Sequence, residues 1–333
     1  MAKCKRQKAK GGCGRLLGRF PISATGWRDG VFYFLLFTFY ACGVSWCDLG
    51  LRDVRVARAD VDGDGIAEVV AGGRLGRAPA VDAPRSVRQA GIGVYRVAGN
   101  FLHPICERDD LFWVSDVAGG DVDGDGVDEV VAVGLGHVMI FDVVGDQLVE
   151  IGHEILENDW TDRVMVADVN GDGRVDVGVT VYHIDPGAEM GRSEVRYFSW
   201  ANTRLEKHFE FEIDGHVGDL CGVTNERGEV IVALEVGTGD EGGEIQMWSG
   251  RSGRVFWRGD MTNGRVRALS LDAQAAQLVI GGVDGQVWMS HMTSFGLSPA
   301  RELQHRWGLS GLLLLPQRLL TLSNRMGLQL LRF

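Results

Sequence analysis

The run Asp-Val-Asp-Gly-Asp-Gly stands twice in this chain, at Asp60–Gly65 and Asp121–Gly126, and returns as Asp-Val-Asn-Gly-Asp-Gly at Asp168–Gly173. Three residues after each second glycine comes a further acid: Glu68, Glu129 and Asp176. A calcium ion takes roughly six to eight hard oxygen ligands, and alternate positions of a tightly turned loop supply them from one side of the backbone. The first loop then offers Asp60, Asp62, Asp64, the Ile66 carbonyl and Glu68. The second offers Asp121, Asp123, Asp125, the Val127 carbonyl and Glu129, and the third Asp168, Asn170, Asp172, the Arg174 carbonyl and Asp176. The spacing therefore predicts three Ca2+ sites. Without a cation, so many carboxylates in one loop would repel one another. Gly63, Gly65, Gly124, Gly126, Gly171 and Gly173 fit the same reading, since a loop curled round an ion needs positive φ.

An EF-hand loop begins alike but puts a bidentate Glu at its twelfth position, between two helices. Here that position holds Ala71, Ala132 and Val179. The segments leaving the loops, such as Glu-Val-Val-Ala-Gly-Gly, are β-branched and broken by glycine, which predicts strands. The loops accordingly join two strands.

Aligned on the first loop aspartate, the repeat runs Asp60, Asp121, Asp168, then decayed copies at Asp219, Asp272 and Pro316. Spacings of 61, 47, 51, 53 and 44 residues suit four-stranded propeller blades. First strands are expected at Val54–Ala59, Trp113–Val117 and Arg163–Ala167. Third strands are expected at Gly93–Val97, His137–Val143, Ser193–Trp200, Glu244–Trp248 and Gly285–Met289. The expected fold is an all-β propeller of six blades, with seven as the alternative. Its last unit stops at a third strand, Gly327–Phe333, so a segment around Trp46–Leu51 is expected to supply the missing outer strand and close the ring.

The motif Asp-x-Asp-x-Asp-Gly-x-x-Asp/Glu between two strands resembles the FG-GAP/VCBS repeats of integrin-α-type β-propellers. Val266–Met289 is more similar to WD40 or quinoprotein blades. The resemblance spans about residues 52–333, but the acids that carry it are intact only in the first three units.

Residues 1–50 differ from the rest. Eight basic residues precede Asp29, the stretch carries +6 against an overall −11, and −17 is left for the remainder. An acidic body of that kind repels phosphates, which argues against nucleic-acid binding. From Gly30 to Cys47 no residue is charged. A basic leader followed by such a segment reads as an export signal or a signal anchor, so contact with a membrane is expected through residues 30–47. Cleavage after Gly43 or after Ser45 meets the small-residue rule. The expected division is thus a leader over 1–50 and a propeller over 51–333. The protein is expected to be secreted, periplasmic or lumenal, or membrane-anchored, with an intracellular propeller as the alternative.

Cys106 and Cys221 are the only cysteines of the body and read as small buried hydrophobes. No nucleophile elbow, zinc-protease helix, phosphate loop or Cys-x-x-Cys occurs. The eight histidines are scattered singly, His183 with Asp185 being the least bland pair. Arg258-Gly259-Asp260 reads as a turn between strands.

If the acidic loops join first and second strands on one face, the loops joining second and third strands emerge on the other. They are long at Gly72–Gly91, His183–Arg192 and Gly237–Gly243, and long loops on a rigid scaffold are where binding concentrates. Arg74, Arg77, Arg85, Arg88, His183, Asp185, Asp240 and Glu241 are the expected contacts. The expected function is non-enzymatic: a calcium-stabilised module that binds a protein or glycan. A propeller-based polysaccharide lyase or hydrolase and a WD40-like intracellular scaffold are the alternatives.

Overall fold

The computed structural model describes residues 45–47, 51–75, 90–99, 101–156, 160–183, 191–201, 204–224, 230–237, 243–260, 266–272, 277–282, 286–293, 296–297, 301–303, 311–315, 318–323 and 327–332. The chain divides into two compact units, Met1–Cys42 and Gly43–Phe333, and every described residue belongs to the second. No helix occurs among the described residues.

The first blade is β2 (Leu51–Ala59), β3 (Glu68–Leu75), β4 (Ala90–Ala98) and β5 (Phe101–Leu111). The second is β6 (Asp116–Gly120), β7 (Glu129–Gly134), β8 (His137–Val144) and β9 (Gln147–Ile155). The third is β10 (Trp160–Ala167), β11 (Asp176–His183), β12 (Arg192–Ala201) and β13 (Arg204–Asp214), and the fourth is β14 (His216–Thr224), β15 (Val230–Gly237), β16 (Gly243–Ser249) and β17 (Arg254–Asp260). In the next sheet β18 (Val266–Asp272), β19 (Gln277–Gly282) and β20 (Val287–Thr293) are joined by two short strands that both pair with β20, namely β21 (Gly296–Leu297) and β22 (Arg301–Leu303). The last sheet is β23 (Gly311–Leu315), β24 (Arg318–Ser323), β25 (Gly327–Arg332) and, from the other end of the chain, β1 (Ser45–Cys47). All strand ladders are antiparallel, and apart from the β1–β25 and β20–β22 pairs they join strands consecutive in the chain.

The first three sheets are buried near the axis and largely exposed at their outer strands. The second strands read as unbroken buried runs, such as Glu129–Gly134, whereas the outer strand Arg204–Asp214 is mostly exposed and buries only scattered positions. Six apolar clusters lie between successive blades, from Val70, Val94, Val117 and Phe141 between the first two to Leu313 and Leu320 against Val54 and Tyr95 between the last and the first. A fully buried Val, Ile or Phe contributes about 1.5–3 kcal/mol, so these clusters supply most of the cohesion. The innermost strands β2, β6, β10, β14, β18 and β23 touch one another in order and back to the start, which closes the ring. The approach is close enough that a Cβ on Gly119 would lie 2.2 Å from the Arg58 carbonyl of the neighbouring blade.

Several expectations change, among them the first strand of the second blade, which is Asp116–Gly120 rather than Trp113–Val117. The closing strand is Ser45–Cys47, paired as Ser45 with Leu330 and Cys47 with Leu328, while Leu51 already belongs to β2. Arg258-Gly259-Asp260 is the end of the outer strand β17 rather than a turn, because its residues pair in register with Glu244–Gln246. Asp219 is no loop residue: it sits inside β14 opposite Glu235, and the strand runs on for five more residues to Thr224.

Candidate functional site

The three acidic loops have one backbone design. In the first, Asp60 accepts the amides of Asp64 and Gly65 on its two oxygens, and Asp64 accepts that of Ile66. In the second, Asp121 accepts from Gly124 and Gly126, and in the third Asp168 accepts from Gly171, Asp172 and Gly173. All six loop glycines take φ between 67° and 94°, the region in which a Cβ is strained. The first two loops also lock to each other, since Asp60 donates its amide to Asp128 Oδ2 and Asp128 donates its own to the Asp60 carbonyl.

The last acid of each loop begins a second strand and is therefore buried: Glu68, Glu129 and Asp176 are 1–2% exposed. Carboxylate oxygens of Asp60, Asp62 and Glu68 lie within 4.8 Å of one another, as do those of Asp121, Asp123 and Glu129. Burial pushes the Glu129 carboxyl up to about 7, and Glu68 and Asp176 are also raised, chiefly by burial. A cation would supply the charge that lost hydration no longer provides. Glu68 Oε2 is buried without a hydrogen-bond partner, so this donor set fits a hard cation with an oxygen to spare.

The loops differ in what the third strand brings. Arg96 donates to Glu68 Oε1 at 2.9 Å and also to Asp62. The position corresponding to Arg96 is Asp142 in the second blade and Ser199 in the third, as the pairs Val69–Tyr95, Val130–Phe141 and Asp176–Ser199 fix. Ser199 and His208 both reach Asp176 Oδ1, at 2.9 and 3.0 Å.

On the opposite face, Trp160 is 52% exposed and stands directly across from Tyr182. The Tyr182 ring meets His216 edge to face at 4.9 Å, and His216 Nε2 is 2.9 Å from Asp162 Oδ2. Half-exposed Phe112 and Ile155 border the connections between blades on this same face. Of the expected contacts, exposed Arg74 lies over the Trp113 ring at 5.5 Å, and His183 Nε2 is 3.1 Å from Glu194 Oε2. Asp185, Arg77, Arg85, Arg88, Asp240 and Glu241 lie outside the described residues.

Sequence reasoning missed a ring of buried charge. Cross-strand register aligns Arg55 with Gly72 and Ile92, Asp116 with Val133 and Val138, Arg163 with Thr180 and Val195, and Asp219 with Glu235 and Ile245. Arg, Asp, Arg, Asp thus stand at one level in four successive innermost strands, followed by Ala268 at the same level in β18. All four charged residues are buried. Arg55 reaches Asp219 at 3.8 Å, Asp116 accepts the Val164 amide of the next blade, and Asp219 accepts that of Leu269. Arg163 donates to the Gly218 carbonyl and to Asp162. From this ring a cavity of about 190 Å³ extends along the axis past Cys221 and Ser270, toward the acidic-loop face. The pattern is invisible without register, because its members are 61, 47 and 56 residues apart. Cys106 is buried, Cys221 partly so, and both are free thiols, Cys106 pushed up to about 11 by burial.

Fold and site together define an all-β propeller with acidic loops on one face and aromatic side chains on the other. Compared with family models and with curated proteins, the sequence matches none.

Proposed function

We propose that this chain is a calcium-braced β-propeller, exported or membrane-anchored, that binds a protein or glycan through the face opposite its acidic loops. The loops resemble FG-GAP/VCBS repeats, and their buried terminal acids and the partnerless Glu68 Oε2 support Ca2+ as the brace. The observation that carries the binding role is Trp160. A half-exposed indole at the start of a strand, across the ladder from Tyr182, offers a flat apolar surface, and Tyr182 leads on to the polar pair His216 and Asp162. Aromatic anchors rimmed by polar groups are what interfaces concentrate.

A second reading draws on the same cluster. Tyr182, His216 and Asp162 with Arg163 behind them are groups that proton transfer to a sugar would use, which favours a polysaccharide-acting enzyme as the alternative. One experiment separates the two. Wild type and Trp160→Ala are applied to an oligosaccharide array and used to capture partners from the native host's surface fraction, and bound sugars are analysed for cleavage. The binding reading expects retention of intact ligand by wild type and at least a tenfold loss in Trp160→Ala at unchanged melting temperature. Cleaved sugar chains would replace it by the enzyme reading, and equal retention by the variant would remove Trp160 from the site.

A further inference from the structure

Each acidic loop ends on a buried acid, and the residue that faces this acid from the third strand differs from blade to blade. Beside the pair Val69–Tyr95, Arg96 stands opposite Glu68; beside Val130–Phe141, Asp142 stands opposite Glu129; and Ser199 pairs with Asp176. Cross-strand partners lie on one face of a sheet, so each side chain is delivered to the acids of its own loop. The first loop receives a guanidinium, the second a fifth carboxylate and the third a hydroxyl. Arg96 uses two arms of its fork. Its Nε donates to Glu68 Oε1 at 2.9 Å and its Nη2 to Asp62 Oδ2, on two of the three acids whose oxygens gather within 4.8 Å of one another. The Glu68 side chain is wholly buried, while those of Arg96 and Asp62 are 46% and 42% exposed, so Arg96 can swing into water without disturbing a strand. Glu68 Oε2 stays buried with no hydrogen-bond partner, and one guanidinium therefore leaves part of the loop's acceptor capacity unused. In the second loop Asp123 is pushed up by burial first and then by the carboxylates of Asp125, Asp121 and Asp142, which places Asp142 among the acids.

We propose that Arg96 is a built-in counter-ion that competes with calcium for the first loop, so that the loops fill unequally, the second before the first. The inference rests on the calcium reading of the loops and takes it further by ordering the sites. Calcium draws on the carboxylates of Asp62 and Glu68, which Arg96 occupies, and the affinity of oxygen-ligand loops follows the number of ligand charges. A guanidinium that stays in place repels the ion, and one that swings out loses two charge-assisted hydrogen bonds. Both lower the affinity of the first site. Asp142 acts the other way, since a further carboxylate beside Asp123 favours a divalent cation. While calcium is absent, the fork of Arg96 holds Asp62 and Glu68 together, and the first loop keeps a brace of its own.

The test is a calorimetric titration of the calcium-depleted full chain with calcium chloride, in which Asp62→Ala and Asp123→Ala mark the heats that belong to the first and second loops. Wild type should fill the second loop about 10-fold more tightly than the first. Arg96→Gln keeps the stem and a donor but removes the charge, and should tighten the first site by about 10-fold while leaving the second unchanged. Arg96→Lys keeps the charge and should leave the first site weak. In EDTA, Arg96→Gln should melt about 2 °C below wild type, and saturating calcium should abolish or reverse that difference. An unchanged first-site affinity in Arg96→Gln, beside normal binding at the second, would overturn the competition, and coincident melts in EDTA would overturn the brace. Calcium heat at no site would instead remove the calcium reading, and this inference with it.

Discussion

Asp116 concentrates the problem that the charge ring poses. It is buried between Arg55 and Arg163, yet burial outweighs both arginines, with Asp219 adding to the effect, and its carboxyl is pushed up to about 7. A carboxyl whose folded pKa lies above its unfolded value of about 3.9 binds its proton more tightly when folded. The stability it gives is therefore fully present below about pH 4 and is lost as pH rises toward 7. Asp162 behaves oppositely. His216 and the neighbouring arginines hold it down near 2 against its own burial, so its contribution is present above about pH 4 and fades as the pH falls through 2. Asp116→Asn keeps an acceptor for the Val164 amide and removes the titration. Denaturant melts from pH 5 to 8 should show wild type losing stability across this range relative to Asp116→Asn, and parallel curves would contradict the assignment. Each acid of the ring accepts an amide of the next blade, which offsets part of the cost of burying its charge.

At the scale of the element, the hairpins explain why three blades carry acids and three do not. A loop from Asp60 to Ala67 must turn round something, and it does so with two positive-φ glycines and a fan of amides on one carboxylate. Between β23 and β24 only Pro316 and Gln317 intervene, and two residues have no room for such a fan. The closing strand makes a second argument of this kind. Ser45, Trp46 and Cys47 pair with the last strand, so the uncharged stretch from Gly30 cannot serve to its end as a membrane segment while the ring stays closed. Of the two cleavage positions, the one after Gly43 leaves this strand whole and the one after Ser45 removes its first residue. If the protein is exported as proposed, its mature form recovered from the native host should therefore have a mass beginning at Val44, or retain the leader and fractionate with membranes. A mass beginning at Trp46 would mean that the last sheet closes without the Ser45–Leu330 pair.

For the whole molecule, what could be read from the sequence is what repeats locally. The acidic loops, their glycines, the strands on either side and the borrowed outer strand follow from spacing and from residues that allow only a few backbone states. What could not be read depends on register. Asp219 resembles a loop aspartate in isolation, and only its pairing with Glu235 places it level with Arg55, Asp116 and Arg163. His137 and His153 meet because a hairpin folds sixteen residues back on themselves, and Trp160 meets Tyr182 across a loop whose length is set by the acids within it.

The acidic loops are proposed to hold the blades by holding a cation. An ion that binds only the folded state stabilises it by about 2.7 kcal/mol per site when free ion exceeds the dissociation constant 100-fold. Scanning calorimetry of the chain in excess calcium and in EDTA tests this most directly, with Asp62→Ala and Asp123→Ala as controls. A melting temperature lowered by several degrees in EDTA, with the variants losing most of the calcium response, is the predicted result. Superimposable melts in calcium and EDTA would contradict it.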